Sequence, residues 1–141
     1  MRWSVFAFLL LLAVPAWAQA PGSGAPTAMT PSPDDRARQW LTLLDDGNYT
    51  DAYKQISAGA RREISGDAWS KKMTAMRTPL GAMSSRTLKD VKLGKLRQGM
   101  RDGQTASVRY DTAFARNATA IESIDLVSEN GSWTVADYTV K

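Results

Sequence analysis

In Ala106–Ser107–Val108–Arg109–Tyr110–Asp111–Thr112–Ala113–Phe114 the chain alternates without a break. Ala106, Val108, Tyr110, Thr112 and Phe114 fall on one side, and Ser107, Arg109, Asp111 and Ala113 on the other. A period of two over nine residues predicts a half-buried antiparallel strand, one face on a core and one in water. Downstream, Arg116–Asn117–Ala118 is expected to turn the chain, and Ile121 to Glu129 to form a strand with Ile124 and Leu126 inward. Asn130–Gly131 favours a type I′ hairpin. Trp133 to Val140 returns as a last strand, with a bulge where the apolar phase shifts between Val135 and Ala136. Upstream, Arg97 to Gly103 reads as a loop and Ser84 to Leu96 as an irregular first strand with a bulge.

Before Leu80–Gly81 the period is helical. Asp34 and Asp35 suit a helix N-terminus. Ala37, Trp40, Leu41 and Leu44 then mark one apolar stripe, and Gly47 closes it. Tyr49, Ala52, Tyr53 and Ile56 repeat the spacing, with Thr50 as the expected cap. A third helix starts at Ser65 to Asp67, carries Trp69, Met73 and Met76 on one face, and ends at Thr78–Pro79. The expectation is an α+β domain: three N-terminal helices packed on one face of a curved four-stranded antiparallel sheet.

That domain occupies residues 34–141. Residues 19–33, rich in Pro, Gly, Ser, Ala and Thr, read as a linker. Residues 1–18 read as a signal peptide. Arg2 precedes an apolar run from Val5 to Val14, Pro15 breaks it, and Ala16–Trp17–Ala18 offers a small-x-small cleavage site. The run is about half the ~20 residues that span a bilayer. Cleavage is expected after Ala18; a cut after Ala20 would leave Pro21 at the new terminus. The chain is therefore expected to be exported, periplasmic or secreted, with no integral membrane segment after cleavage.

Composition limits the chemistry. Among 141 residues there is no Cys and no His. Disulfides, thiolate nucleophiles, imidazole metal sites and Ser–His–Asp triads are all excluded. Without residues 1–18 the net charge is +3, too little to imply nucleic acid. Lys89, Lys92, Lys95, Arg97 and Arg101 do cluster, and read as solvated strand edge and hairpin tip, where Lys discourages edge-to-edge pairing.

The order of several segments resembles a known family. Gln39–Trp40–Leu41–Thr42–Leu43–Leu44–Asp45, Gly47–Asn48–Tyr49–Thr50–Asp51–Ala52–Tyr53 and Trp69 through Gly81 are similar to the bacterial exported family called domain of unknown function 4019. So are Ser85–Arg86, Tyr110 through Phe114, Glu122 through Val127 and Gly131 through Val135. The resemblance implies a small secreted or periplasmic domain and carries over no catalytic residue. The helix-then-sheet order is also similar to nuclear transport factor 2-like and cystatin-like folds, an analogy that leaves function open.

Three functions are compatible with these residues. The first is a non-catalytic exported binding or interaction domain with a protein or small-molecule partner, as monomer or homodimer. The second is a carrier of a small hydrophobic ligand, in a pocket between helices and sheet walled by Trp69, Met73, Met76, Tyr110 and Phe114. The third is an enzyme with Asp111 as general base beside a tyrosine phenol. Alternation, however, puts Asp111 opposite Tyr110, which favours an exposed ion pair with a Lys of the first strand. Glu122 and Asp125, three apart, point to opposite faces of a strand. Asp45–Asp46–Gly47–Asn48 resembles a calcium loop in composition, but its Gly is third and position 12 is Ile56, so no metal site is expected. No cofactor is expected either.

Overall fold

The computed structural model describes residues 29–95 and 103–141. The segments expected as signal peptide (1–18) and linker (up to residue 28), and most of the loop expected at 97–103, lie outside the described residues. Among the described residues, four α-helices precede the sheet: α1 (Pro33–Asp45), α2 (Tyr49–Lys54), α3 (Ala58–Glu63) and α4 (Gly66–Arg77), followed by a 3₁₀ turn over Thr78–Leu80. The strands are β1 (Met83–Lys95), β2 (Gln104–Phe114), β3 (Asn117–Glu129) and β4 (Ser132–Val140). They form one curved, unclosed antiparallel sheet in the order β1-β2-β3-β4. This is the expected α+β architecture, with one more short helix than the apolar spacing indicated.

Each helix start is fixed by local chemistry. Ser32 caps α1 and forms a reciprocal box with Asp35: its Oγ accepts from the Asp35 N–H at 3.1 Å, and the Asp35 carboxylate accepts from the Ser32 N–H at 3.3 Å. Pro33 follows at the first helical position, where its missing N–H costs nothing. Asn48, not Thr50, caps α2. Ser57 caps α3, which has no buried residue and so shows no apolar stripe in the sequence. Ser65 caps α4.

The stripe of α1 is buried as expected: Ala37, Trp40, Leu41 and Leu44 are at most 1% exposed. This helix lies across the sheet and touches all four strands. Trp40 sits at the centre, edge-on to Trp69 at 6.1 Å and to Tyr138 at 5.7 Å, and its indole N–H donates to the Ala52 carbonyl at 3.0 Å. Large aromatic rings in tilted contact fill the space between the layers, with the one polar indole atom satisfied.

On the sheet, Ala106, Val108, Tyr110, Thr112 and Phe114 all face the helices and are buried, and Ile124 and Leu126 join them. The bulge in β4 is present: Leu126 pairs with Val135 and Asp125 with Asp137, leaving Ala136 as the extra residue. In β1 the register slips at Ser84 and Lys89. Asn130 and Gly131 hold φ of 52° and 78°, the two left-handed residues of the hairpin. Two boundaries differ from the reading. The chain turns at Ala115–Arg116, and β3 begins at Asn117 rather than Ile121. Ala118 and Thr119 are exposed, and Ala120 is the first buried residue of the strand, in phase with Glu122, Ile124 and Leu126.

Candidate functional site

Two features lie between or beside the layers. The first is a buried charge network. It takes Asp45 from the end of α1, Arg77 from the end of α4, Arg86 from β1, Thr112 from β2, Glu122 from β3 and Tyr138 from β4. Glu122 is fully buried and accepts four hydrogen bonds: from Arg77 Nη1 at 3.0 Å, Arg86 Nε at 2.6 Å, Thr112 Oγ1 at 2.7 Å and the Tyr138 hydroxyl at 2.7 Å. Asp45 receives the other faces of both arginines, through Arg77 Nη2 and through Arg86 Nη1 and Nη2 at 2.7 and 3.0 Å. Arg77 Nη1 also donates to the Tyr138 hydroxyl at 3.0 Å.

Two guanidinium groups and two carboxylates cancel formally, and low local dielectric strengthens each contact. Burial works against the charge of Arg77 and Arg86, yet both are held above the ordinary arginine value. For Arg77 the Tyr138 phenol, Asp45 and Glu122 do this; for Arg86 the hydrogen bonds to Asp45 and Glu122. Burial, followed by the neighbouring Glu122 charge, pushes the Tyr138 phenol above its usual range. Among the described residues no fully buried side-chain nitrogen or oxygen lacks a partner. A shallow concavity of about 230 Å³, edged by Leu44, Asp45, Tyr49, Arg77 and Met83, is the network's approach to solvent. Asp45 is thus neutralised by two arginines, an environment that repels a cation.

The second feature is a cleft of about 240 Å³ between α3, α4 and β4. Trp69, Met73, Ile56, Ile64 and Tyr138 give it an apolar wall, and exposed Glu63, Lys72 and Asp137 stand at its mouth. The capped turn at Ser57 positions its far side. The Ser57 N–H donates to the Val135 carbonyl at 2.7 Å, and the Ala58 N–H to Glu129 Oε1 at 3.3 Å.

Of the five residues expected to wall one pocket, Trp69 and Met73 line this cleft together. Met76 is half-buried against the core outside the cleft lining. Tyr110 lies under α1, where its hydroxyl donates to Asp34 Oδ1 at 2.5 Å and the Arg38 guanidinium sits 5.3 Å from its ring. Phe114 lies under the Arg77 guanidinium at 5.2 Å, so it borders the charge network instead. Asp111 faces water on the opposite side of the sheet and accepts from Lys89 Nζ at 2.9 Å. An Asp111–Tyr110 acid–base pair is therefore not assembled, and the expected cross-strand ion pair is. Asp111 borders a depression of about 380 Å³ with Ser85, Thr87, Thr119 and Ile121 on that open face.

Arg77 and Arg86 are not among the residues that the sequence marks as a site, and Glu122 enters only as a carboxylate set on the face opposite Asp125. The signal that places Glu122 inside is parity: it lies two and four positions before the inward Ile124 and Leu126.

The family described as "Protein of unknown function (DUF4019)" matches residues 36–138. No curated protein matches the chain in sequence. Among solved structures, one similar chain is from Campylobacter jejuni, provisionally assigned as an NTF2-like transpeptidase. It is 14% identical with a TM-score of 0.55, over 74% of this chain and 97% of that one. Aln2 from a Streptomyces species is 13% identical with a TM-score of 0.44, over 79% of this chain and 93% of that one. At such identity the Campylobacter likeness speaks for the fold, which is NTF2-like.

Proposed function

We propose, from the premise that this chain belongs to the DUF4019 family of proteins of unknown function, that it is an exported, non-catalytic binding domain. One observation carries the reading. The polar groups between helices and sheet are consumed by one another: Glu122 by four donors and Asp45 by two arginines. A general base needs a free lone pair within reach of substrate, and an anion receptor needs uncompensated cations. The network offers neither. It reads instead as a strut that ties α1 and α4 to β1, β3 and β4. Binding is then left to the outer surfaces. The leader-like residues 1–18 support export.

The apolar cleft supports a second reading, a carrier of a small hydrophobic molecule, since Trp69, Met73, Ile56 and Ile64 converge on about 240 Å³ with charges only at the rim. One experiment separates the two. The protein is expressed with its leader, recovered from periplasm and cytoplasm separately, and weighed by native mass spectrometry before and after organic extraction. A periplasmic chain lacking residues 1–18 and free of small-molecule adduct fits the binding domain. An extractable adduct moves the function to the cleft, and retention in the cytoplasm at full length overturns export.

A further inference from the structure

The two edges of the sheet are unlike. At β4 the middle of the edge is covered, because Ile56 bridges to Val135 and the Ser57 N–H donates to the Val135 carbonyl. At β1 the edge has no such cover among the described residues, over a strand of 13 residues, Met83–Lys95. Every second residue of such a strand turns its N–H and C=O away from its only neighbour, β2.

Cross-strand pairing fixes which side chains share a face. Leu88, Val91 and Leu93 pair with Tyr110, Val108 and Ala106, so they lie on the helix side. They are 37%, 37% and 73% exposed, although their β2 partners are buried. On the open side, Lys92 pairs with Ser107, and Asp90 is held by Arg109 across the ladder. Lys89 lies in the bulge and reaches Asp111 on that same open side. The edge therefore presents an apolar row on one face; on the other Lys89 is paired with Asp111 and Asp90 with Arg109, which leaves Lys92 as a cation without an ion partner among the described residues.

We infer that the β1 edge is a docking strip for an extended segment of another protein whose apolar and acidic side chains alternate, taken up as a fifth strand. This rests on the binding-domain reading above and is independent of the cleft. Backbone hydrogen bonds supply the attachment, and alternate side chains supply the selectivity. Val and Leu of the partner extend the apolar row, and its carboxylates meet Lys92 and compete with the exposed Asp111 for Lys89. A second copy of this chain is disfavoured, since its β1 offers Lys89, Lys92 and an Asp90 already held by Arg109, and so no free carboxylate for Lys92. A bilayer is disfavoured too, because hydrocarbon cannot satisfy the free edge amides and carbonyls.

The test uses the purified chain and two peptides, acetyl-Glu-Val-Glu-Val-Glu-Val-Glu-amide and its Lys-for-Glu counterpart. Expected is saturable binding of the acidic peptide alone, with slowed amide exchange confined to β1. Lys92→Glu, and separately Leu93→Asp, should each weaken it by about tenfold or more, with the thermal melt of these exposed-site variants unchanged. Equal binding of both peptides, or no change in β1 exchange, overturns the inference. So does a dimer that Leu93→Asp dissociates, or binding to phosphatidylglycerol vesicles without a response to peptide. If the peptide fails while native mass spectrometry still finds a bound protein, only the edge proposal falls. If neither binds, the binding-domain reading falls with it.

Discussion

Arg77 and Glu122 are 45 positions apart in the chain and meet at 3.0 Å, with 6% and 0% of their side chains exposed. The contact joins the last residue of α4 to the middle of β3, and Arg86 and Asp45 close the ring from β1 and α1. An apolar core would hold these layers together without directional preference. The ring instead fixes where the ends of α1 and α4 sit over the sheet.

Glu122→Gln keeps the side-chain volume and removes one charge, leaving two guanidinium groups to share Asp45. Breaking a buried pair from one side leaves uncompensated charge, so unfolding free energy should fall by about 3–5 kcal/mol. Urea denaturation checks it, read as a lower midpoint at unchanged slope. An unmoved midpoint means the network adds nothing that a neutral amide cannot.

The sequence made the layers readable and left the network hidden, for a physical reason. Val108, Tyr110 and Phe114 are legible because each buried residue is two positions from the next, a signal contained in nine residues. The network draws single residues from positions 45, 77, 86, 112, 122 and 138. Nothing local distinguishes Glu122 from a solvated glutamate except its parity with Ile124. The helix α3 was hidden differently: six residues with none buried leave no period to detect. The cleft was half legible. Trp69 and Met73 share a helix face, but their opposite wall comes from Ile56, Ile64 and β4; side-chain size does not reveal that Tyr110 lies elsewhere, under α1.

Glycines test the turn and the overlooked helix with opposite signs. Gly131 sits at φ 78° with open space around an added Cβ, so the cost of Gly131→Ala is purely conformational. It should destabilise by about 1–2 kcal/mol. Gly59 lies inside α3, where a Cβ meets only Ser57 Oγ at 3.9 Å. Gly59→Ala should stabilise by about 0.5–1 kcal/mol. Thermal melts of the two variants moving in the same direction would contradict the assigned backbone at one of them.

The Asp90 carboxylate is held below its ordinary value of 3.8, first by its hydrogen bond with Arg109. A depressed acid stabilises the fold above the unfolded pKa and loses that contribution as pH falls through the folded one. Carboxyl-carbon NMR should therefore place its midpoint below 3.8, and Arg109→Gln should raise it. If the midpoint does not move in Arg109→Gln, the cross-strand pair is a static contact without electrostatic consequence.

Alkaline pH probes the interior from the other side. Tyr138 and Tyr110 are both held above the ordinary phenol value of 10.0, Tyr138 by burial and then by the charge of Glu122, Tyr110 by burial and then by its bond to Asp34. In the unfolded chain both phenols ionise near 10; in the folded one they keep their protons. A raised pKa contributes stability that is whole below the unfolded value and drains away as pH climbs toward the folded one. Stability should therefore fall steadily above pH 10, and the tyrosinate absorbance of these two residues should rise only with the loss of circular dichroism. Tyr138→Phe removes one of the two titrating groups, so its stability should decline less steeply with pH than that of the parent, although its starting value is lower for want of the hydroxyl on Glu122. A parent chain whose four tyrosines all ionise while its dichroism stays intact would place both hydroxyls in water and contradict the network at its Tyr138 corner.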